Sequence, residues 1–307
     1  MKRLLPLLAA WGLLAAACGG ESTPVAQPTP VPGITPRAFL PAFQSGAIQT
    51  QSQQASQRAR VLFVNGDHVP ESGYPHSRVR DAGDKPESFS RLRVEVLEGE
   101  LGLEVDELVL TAANALTAEQ LAPYRLVVLG ANGRVLSADE VKALTDFYTN
   151  GGRILVYADF QYGPDNWNSD NCFLNQFGIE VFPDNFQPAT TIDDLDASHP
   201  VMTGVRAFGV EGASQFRVSA SALSSVRILA RCTPLERSGC AVQPAEQARI
   251  QPGDQVVCTW VRELPNGGKL AGTCDRNTFH NGPGPGSDLD QHDNRIYARN
   301  LFRWLTQ

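Results

Sequence analysis

The chain has 307 residues and a formal net charge of −7 at pH 7. That acidic balance argues against a nucleic-acid partner or adhesion to anionic lipid, both of which reward clustered Lys and Arg. Its length allows one large domain or two small ones.

Lys2 and Arg3 give a positive start, residues 4–17 are rich in Leu and Ala, and Ala15, Ala16 and Ala17 stand directly before Cys18. A basic start, a short apolar run and small residues at its end read as a secretory signal, too short for a comfortable membrane span. A Cys in that place resembles a bacterial lipobox, which usually has Leu where this chain has Ala15. The resemblance implies that residues 1–17 are removed and that Cys18 is acylated and becomes the first mature residue. An ordinary cleaved signal with an incidental Cys is the alternative. No second apolar run approaches the ~20 residues of a membrane helix. Contact with the lipid bilayer is therefore expected through acylated Cys18. Gly19 after it, rather than Asp, resembles lipoproteins sorted to an outer membrane where the source has one. The expected localisation is exported and anchored to the bacterial cell envelope.

Residues 18–57 read as a tether. Repeated Pro with Thr, Val and Gln, then a Gln/Ser-rich stretch, offer too little apolar surface to offset chain entropy. Arg37, Ala38, Phe39, Leu40, Pro41, Ala42 and Phe43 interrupt that composition with an apolar patch, either docked on the domain or mobile.

Residues 58–307 read as one domain, with no internal repeat and no second linker. Residues 60–64 (RVLFV) form a short apolar run ending at Asn65-Gly66, a buried strand and its turn. Phe89, Leu92 and Val96 fall at helical spacing across 86–101. Residues 107–111 and 125–130 (RLVVLG) read as strands. Ser137 with Glu140 three residues on is a capping box, opening a helix that runs to Thr149. Residues 153–158 (RILVYA) are a fourth strand. Continuous apolar strands alternating with amphipathic helices imply a parallel sheet covered on both faces. The second half is richer in strand, at 226–230, 255–261 and 269–273. Pro265-Asn266-Gly267-Gly268 gives a hairpin between the last two. A final helix spans 290–305.

Several signatures resemble the class I glutamine amidotransferase-like superfamily, and more narrowly its non-enzymatic DUF4350/GldG-like and ThuA-like branches. They are RLVVLG at 125–130 with SADE at 137–140, FYTNGGRILV at 147–156, HPVMTGV at 199–205, GTCDRNTF at 272–279, and Asp293-Asn294 opening the last helix. The resemblance covers most of residues 58–307. It implies an α/β fold: a flavodoxin-like three-layer sandwich with a mainly parallel central sheet and a C-terminal β-hairpin extension.

An amidotransferase of this class carries a Cys nucleophile on the sharp turn after the strand that here is 153–158. This chain has Ala158, Asp159, Phe160 and Gln161 there, with no Gly-x-Cys-x-Gly elbow and no later His-x-Glu pair to activate a thiol. The resemblance thus implies a catalytically inactive domain. No metal site and no cofactor are expected, because no Cys pair has zinc spacing and no Gly-rich loop cradles phosphate.

In an exported chain disulfides are expected. Pairing Leu264 with Gly268 in the hairpin sets Cys258 opposite Cys274. Cys232 and Cys240 bracket one short loop. The expected pairs are Cys258–Cys274 and Cys232–Cys240, leaving Cys172 unpaired.

Polar residues collect beyond the carboxyl ends of the strands, where open α/β sheets bind ligands. The ligand-binding candidates are Asn65, Asp67 and His68 after the first strand, Asn132 after the third, Asp159 and Gln161 after the fourth, and Asp275, Asn277 and His280 after the last. Ordinary turn chemistry explains Asn and Asp in such places equally well. Asp288, Asp290 and Asp293 cluster before the last helix. Helix capping accounts for them more simply than Ca²⁺, since no closing Glu follows. The loop 67–85 and Trp167 stand near the same end. Three functions follow as expectations. The first is a lipid-anchored ligand- or protein-binding domain, its partner an envelope protein or a carbohydrate. The second is an envelope hydrolase acting on carbohydrate through Asp159, Asp67 or His68. The third is a partner-binding subunit of an envelope transporter or motility system.

Overall fold

The computed structural model describes residues 58–66, 78–80, 85–111, 113–130, 134–159, 170–182, 189–232, 242, 244–282 and 288–307. Cys18, Asp67, His68, Asn132, Gln161, Trp167 and Cys240 lie outside the described residues. So does most of the 67–85 loop.

The apolar runs become the centre of an eight-stranded sheet. Its first five strands are parallel: β1 (Arg60–Gly66), β2 (Glu104–Leu110), β3 (Leu126–Leu129), β4 (Arg153–Tyr157) and β13 (Lys269–Thr273). They lie in the order β2-β1-β3-β4-β13. Three antiparallel strands complete the edge beside β13: β12 (Thr259–Glu263), β10 (Arg227–Arg231) and the two-residue β7 (Asp194–Leu195). Every residue of β3 and β4 is buried, as continuous apolar strands covered on both faces must be. The parallel order is the flavodoxin-like doubly wound one, whose topological switch point falls between β1 and β3. A three-stranded sheet joins β5 (Ile179–Val181), β9 (Phe216–Val218) and β11 (Gln255–Val257). A ribbon pairs β6 (Thr190–Ile192) with β8 (Phe208–Val210).

Helices cover the sheet. α1 (Ala118–Leu121) and α2 (Ala138–Thr149) pack together, and α3 (Asn294–Thr306) packs on a π-helix over Leu92–Glu100. Phe63 of β1 stacks on Phe302 of α3 at 6.1 Å and meets Phe89 at 6.2 Å. Phe89 in turn packs edge-on to Tyr157 of β4 at 5.7 Å.

The capping box at Ser137 is present, and Glu140 does more than cap. Its buried carboxylate accepts from the Ser137 and Leu116 backbone N–H groups, both at 2.8 Å, and from the Arg134 guanidinium at 2.6 and 2.8 Å. Burial pushes its pKa up, but Arg134 and the two N–H groups outweigh burial and hold it at about 2. A depressed folded pKa stabilises the fold above the unfolded pKa and is lost as pH falls through the folded one. Glu140→Ala is expected to cost about 3 kcal/mol at pH 7, since it leaves buried donors and a guanidinium unpaired. Urea unfolding should show that cost shrinking as pH falls from about 4.5 towards 2.

The hairpin forms as its turn predicts, with Leu264 N–H donating to the Gly268 carbonyl at 2.8 Å. Its second strand inserts into the main sheet beside β4, in parallel. The disulfide Cys258–Cys274 closes its open end. Gly272 sits opposite Trp260, and a Cβ there would enter the indole ring. This close approach is what requires glycine.

Four expectations are corrected. The first helix does not open at Pro86: residues 85–88 form a turn, and Asn281 Oδ1 caps the helix by accepting the Arg91 N–H at 2.8 Å. The run 255–261 is two strands in two sheets, because at Cys258 the backbone turns to donate to the Ala230 carbonyl. The last helix starts at Asn294, not Asp290. Asp290 instead pairs with Arg91 and Arg295, and Asp293 with Arg206. Finally, Cys172 is disulfide-bonded, as is Cys232.

Candidate functional site

The candidates fall on two networks at the carboxyl ends of the parallel strands. The first sits at the end of β1. Asn65 is buried, and its Nδ2 donates to Glu107 Oε1 of β2 at 2.8 Å. The same oxygen accepts from Arg78 Nε at 2.7 Å and from the Val79 N–H at 3.1 Å. Glu107 was missed from sequence because an acid in an edge strand reads as solvated surface. Its side chain is only 3% exposed.

The second network joins the tips of β4 and β13. Asp159 follows β4 and forms a buried ion pair with Arg276. Ser214 fastens the two tips: its hydroxyl donates to the Asp159 carbonyl at 2.8 Å, and its N–H donates to the Cys274 carbonyl at 2.9 Å. Asp275 is fully buried. It accepts the Glu211 N–H at 2.6 Å on one oxygen and the Asn277 N–H at 2.7 Å on the other. Asn277 Nδ2 donates to the Glu211 carbonyl at 2.8 Å. Asp170, at the start of a helical turn over 170–174, is buried against the same group.

Three carboxylates thus share one guanidinium. Burial holds Asp170 well above the usual carboxylate range; Arg276 opposes that and the charge of Asp159 adds to it. Burial likewise raises Asp275, and Asp159 raises it further, against the pull of the two N–H donors and Arg276. Asp170 and Arg276 were not among the sequence candidates. Arg276 was within reach of sequence reasoning, because it stands between Asp275 and Asn277.

His280 stands at the end of the short turn over Asn277–Phe279. Its ring is buried against Phe89 at 5.3 Å, in the aromatic layer that includes Tyr157 and Phe279. The adjacent Asn281 donates to Ser88 Oγ, Ser90 Oγ and the Lys85 carbonyl at 2.7, 2.8 and 3.0 Å. It therefore pins the start of the π-helix. The structure brings Asp159, Asp275 and Asn277 together. It ties Asn65 to β2 and sets His280 in an apolar layer. Among the described residues no group of three His, Cys, Asp or Glu side chains is arranged to hold a metal.

The chemistry open to the β4–β13 tip is limited by these bonds. Both oxygens of Asp275 accept backbone donors, and Asp159 is held by a guanidinium that is only 1% exposed. All four described cysteines are in disulfides, so none supplies a thiolate.

Sheet order, parallel core and strand-end networks define a flavodoxin-like α/β domain. Known structures share that fold. The N-terminal domain of mmIFT52 is 16% identical, with a TM-score of 0.53 over 80% of this chain and 97% of that one. The cytoplasmic protein STM1381 of Salmonella typhimurium LT2 is 13% identical, with a TM-score of 0.51 over 81% of this chain and all of that one (100%). Similar structures also include a ThuA-like protein of Bacteroides uniformis ATCC 8492, 15% identical, with a TM-score of 0.48 over 81% of this chain and 93% of that one. No protein-family model matches the sequence, and no curated protein does.

Proposed function

We propose that the chain is a lipid-anchored cell-envelope protein whose amidotransferase-like domain binds a ligand or a protein and catalyses no reaction. The observation that carries this is the tip of β4. Where the resembled fold needs an exposed nucleophile, this chain has Ala158 and then Asp159, buried in an ion pair with Arg276. A nucleophile must be presented to substrate beside an activating base. Asp159 is instead turned inward, with its carbonyl bonded by Ser214. The inactive ThuA-like or DUF4350-like branch is the reading these features support. The partner is an envelope protein or a carbohydrate, met where Asn65 and the tip of β4 stand at the strand ends.

The anchor is tested by growing cells with an alkyne fatty acid. The wild-type chain should take up label and sediment with membranes. Cys18→Ser should lose the label and move to the soluble fraction. A variant that stays membrane-bound without label would show that acylated Cys18 is not the anchor. Incubation of the purified chain with glutamine should release no ammonia above buffer.

A further inference from the structure

A pocket of about 350 Å³ opens on the three-stranded sheet, a volume within the range of small-molecule sites. Its lining includes Asn175, Gly178, Glu180, Arg217, Ser219 and Arg249, none of which belongs to the strand-end networks. Glu180 of β5 and Arg217 of β9 are direct cross-strand partners. Gly178 takes a left-handed φ of 70° to end the turn before β5, and a Cβ there would meet Ser219 Oγ at 2.5 Å. Glycine thus lets the chain enter β5 while lying against Ser219.

Two guanidinium groups are fixed around one buried carboxylate. Glu180 Oε2 accepts from Arg217 Nη2 at 2.6 Å and Nε at 3.1 Å, and Glu180 Oε1 accepts from Arg249 Nη2. Arg217 Nη1 donates to Asp254 at 3.2 Å and to the Arg249 carbonyl at 3.3 Å, and Arg249 Nη1 donates to Glu246 at 2.7 Å. These bonds orient both forks without spending them. A guanidinium has five N–H donors. Among the described residues Arg249 uses two, which leaves three on a side chain that is 44% exposed. Arg217 uses four and keeps one at Nη2. The exposed Asn175 amide makes no hydrogen bond among the described residues. The Ser219 hydroxyl meets only Ser221 Oγ, at 3.1 Å.

What remains open in the pocket is therefore rich in donors, and its lining carries one more positive charge than negative. A group that only accepts hydrogen bonds satisfies it, and a planar carboxylate matches a guanidinium fork through two parallel bonds. Asp254 and Glu246 stand behind the arginines, so a doubly charged phosphate meets more repulsion there than a singly charged carboxylate does. We propose that this pocket binds the carboxylate of a small organic acid, with the Arg249 fork holding the carboxylate and Asn175 and Ser219 bonding the rest of the molecule. Glu180 is the positioning residue that aims both guanidinium groups before the acid arrives, which lowers the ordering cost of binding. The site is independent of whatever the strand ends bind.

The test is side-chain NMR on the intact chain carrying isotope-labelled arginine, titrated with succinate, malate and citrate, and with sodium chloride at matched ionic strength. The Arg249 Nε–H signal is expected to shift saturably with at least one of the acids, with a Kd in the mM range of a single fork-held carboxylate, and not with chloride. Arg249→Gln should weaken that binding by about tenfold or more, followed on the Arg217 signal. Asn175→Asp sets a like charge on the exposed rim, apart from the ion pairs, and should also weaken it. No saturable shift with any of the three acids overturns the proposal, as do shifts that follow ionic strength alone. Tighter binding of inorganic phosphate than of every acid overturns it too, as does undiminished binding in either folded variant. Asn175 is exposed and outside the ion pairs, so its result stands even where the Arg249→Gln chain fails to fold.

Discussion

Arg276→Met lowers the unfolding free energy by roughly 3–5 kcal/mol at neutral pH, the usual loss when one partner of a buried charge pair is removed. Methionine roughly fills the space of the side chain, so the loss is electrostatic more than steric. The guanidinium is 1% exposed, pairs with Asp159, and draws down the raised pKa values of Asp170 and Asp275. Without it, three carboxyl groups face one another in a dry site. They then take up protons in the folded state that the unfolded chain releases above about pH 4. Urea unfolding should therefore show a larger deficit at pH 8 than at pH 5. A deficit below about 1 kcal/mol, equal at both pH values, would mean that the cluster is solvated and contributes little.

Asp170→Asn shifts stability the other way. The folded pKa of Asp170 is raised, so its contribution is present below the unfolded pKa and fades as pH rises through the folded one. One of its buried oxygens has no hydrogen-bond partner. The amide removes the buried acid while keeping its shape. The variant should match wild type near pH 4 and exceed it increasingly above that, read from thermal midpoints across pH.

The second large effect is loss of the Cys258–Cys274 bridge. The two cysteines are 16 residues apart in sequence and both are fully buried. Closing a loop of that length in the unfolded chain corresponds to about 3 kcal/mol. In a domain of this size the double alanine variant should therefore melt roughly 6–12 °C lower. The effect is amplified by position: β13 is both the second arm of the hairpin and the parallel neighbour of β4. The strand that the bridge fixes also leads directly into Asp275 and Arg276. An unchanged melting point would assign the register to Trp260 packed over Gly272 instead.

What could be read from sequence was whatever local pattern decides. β1, β3 and β4 are short apolar runs with turn residues at their ends. Ser137 and Glu140 set the start of α2 within one turn. The Asn-Gly-Gly turn fixes the hairpin register and, through it, the Cys258–Cys274 pair. The misses were decided by remote partners. Asn281 moves a helix start from Pro86 to beyond Ser88, although nearly two hundred residues separate them in sequence. Ala230 takes the Cys258 N–H and so divides one apolar run between two sheets. At the site, Asp159 and Asp275 stood out as polar residues after strands. Asp170 gave no such sign, because its role comes from burial beside Arg276. Glu107 was hidden by its place in an edge strand.

On the function proposed here, the Asp159–Arg276 pair at the β4 tip is structural. Asp159→Asn tests it when stability and turnover are measured on one preparation, against glutamine, aryl esters and aryl glycosides. A clear fall in unfolding free energy is expected, with no turnover in either protein. Turnover by the wild-type chain that vanishes in an equally stable Asp159→Asn variant would contradict it.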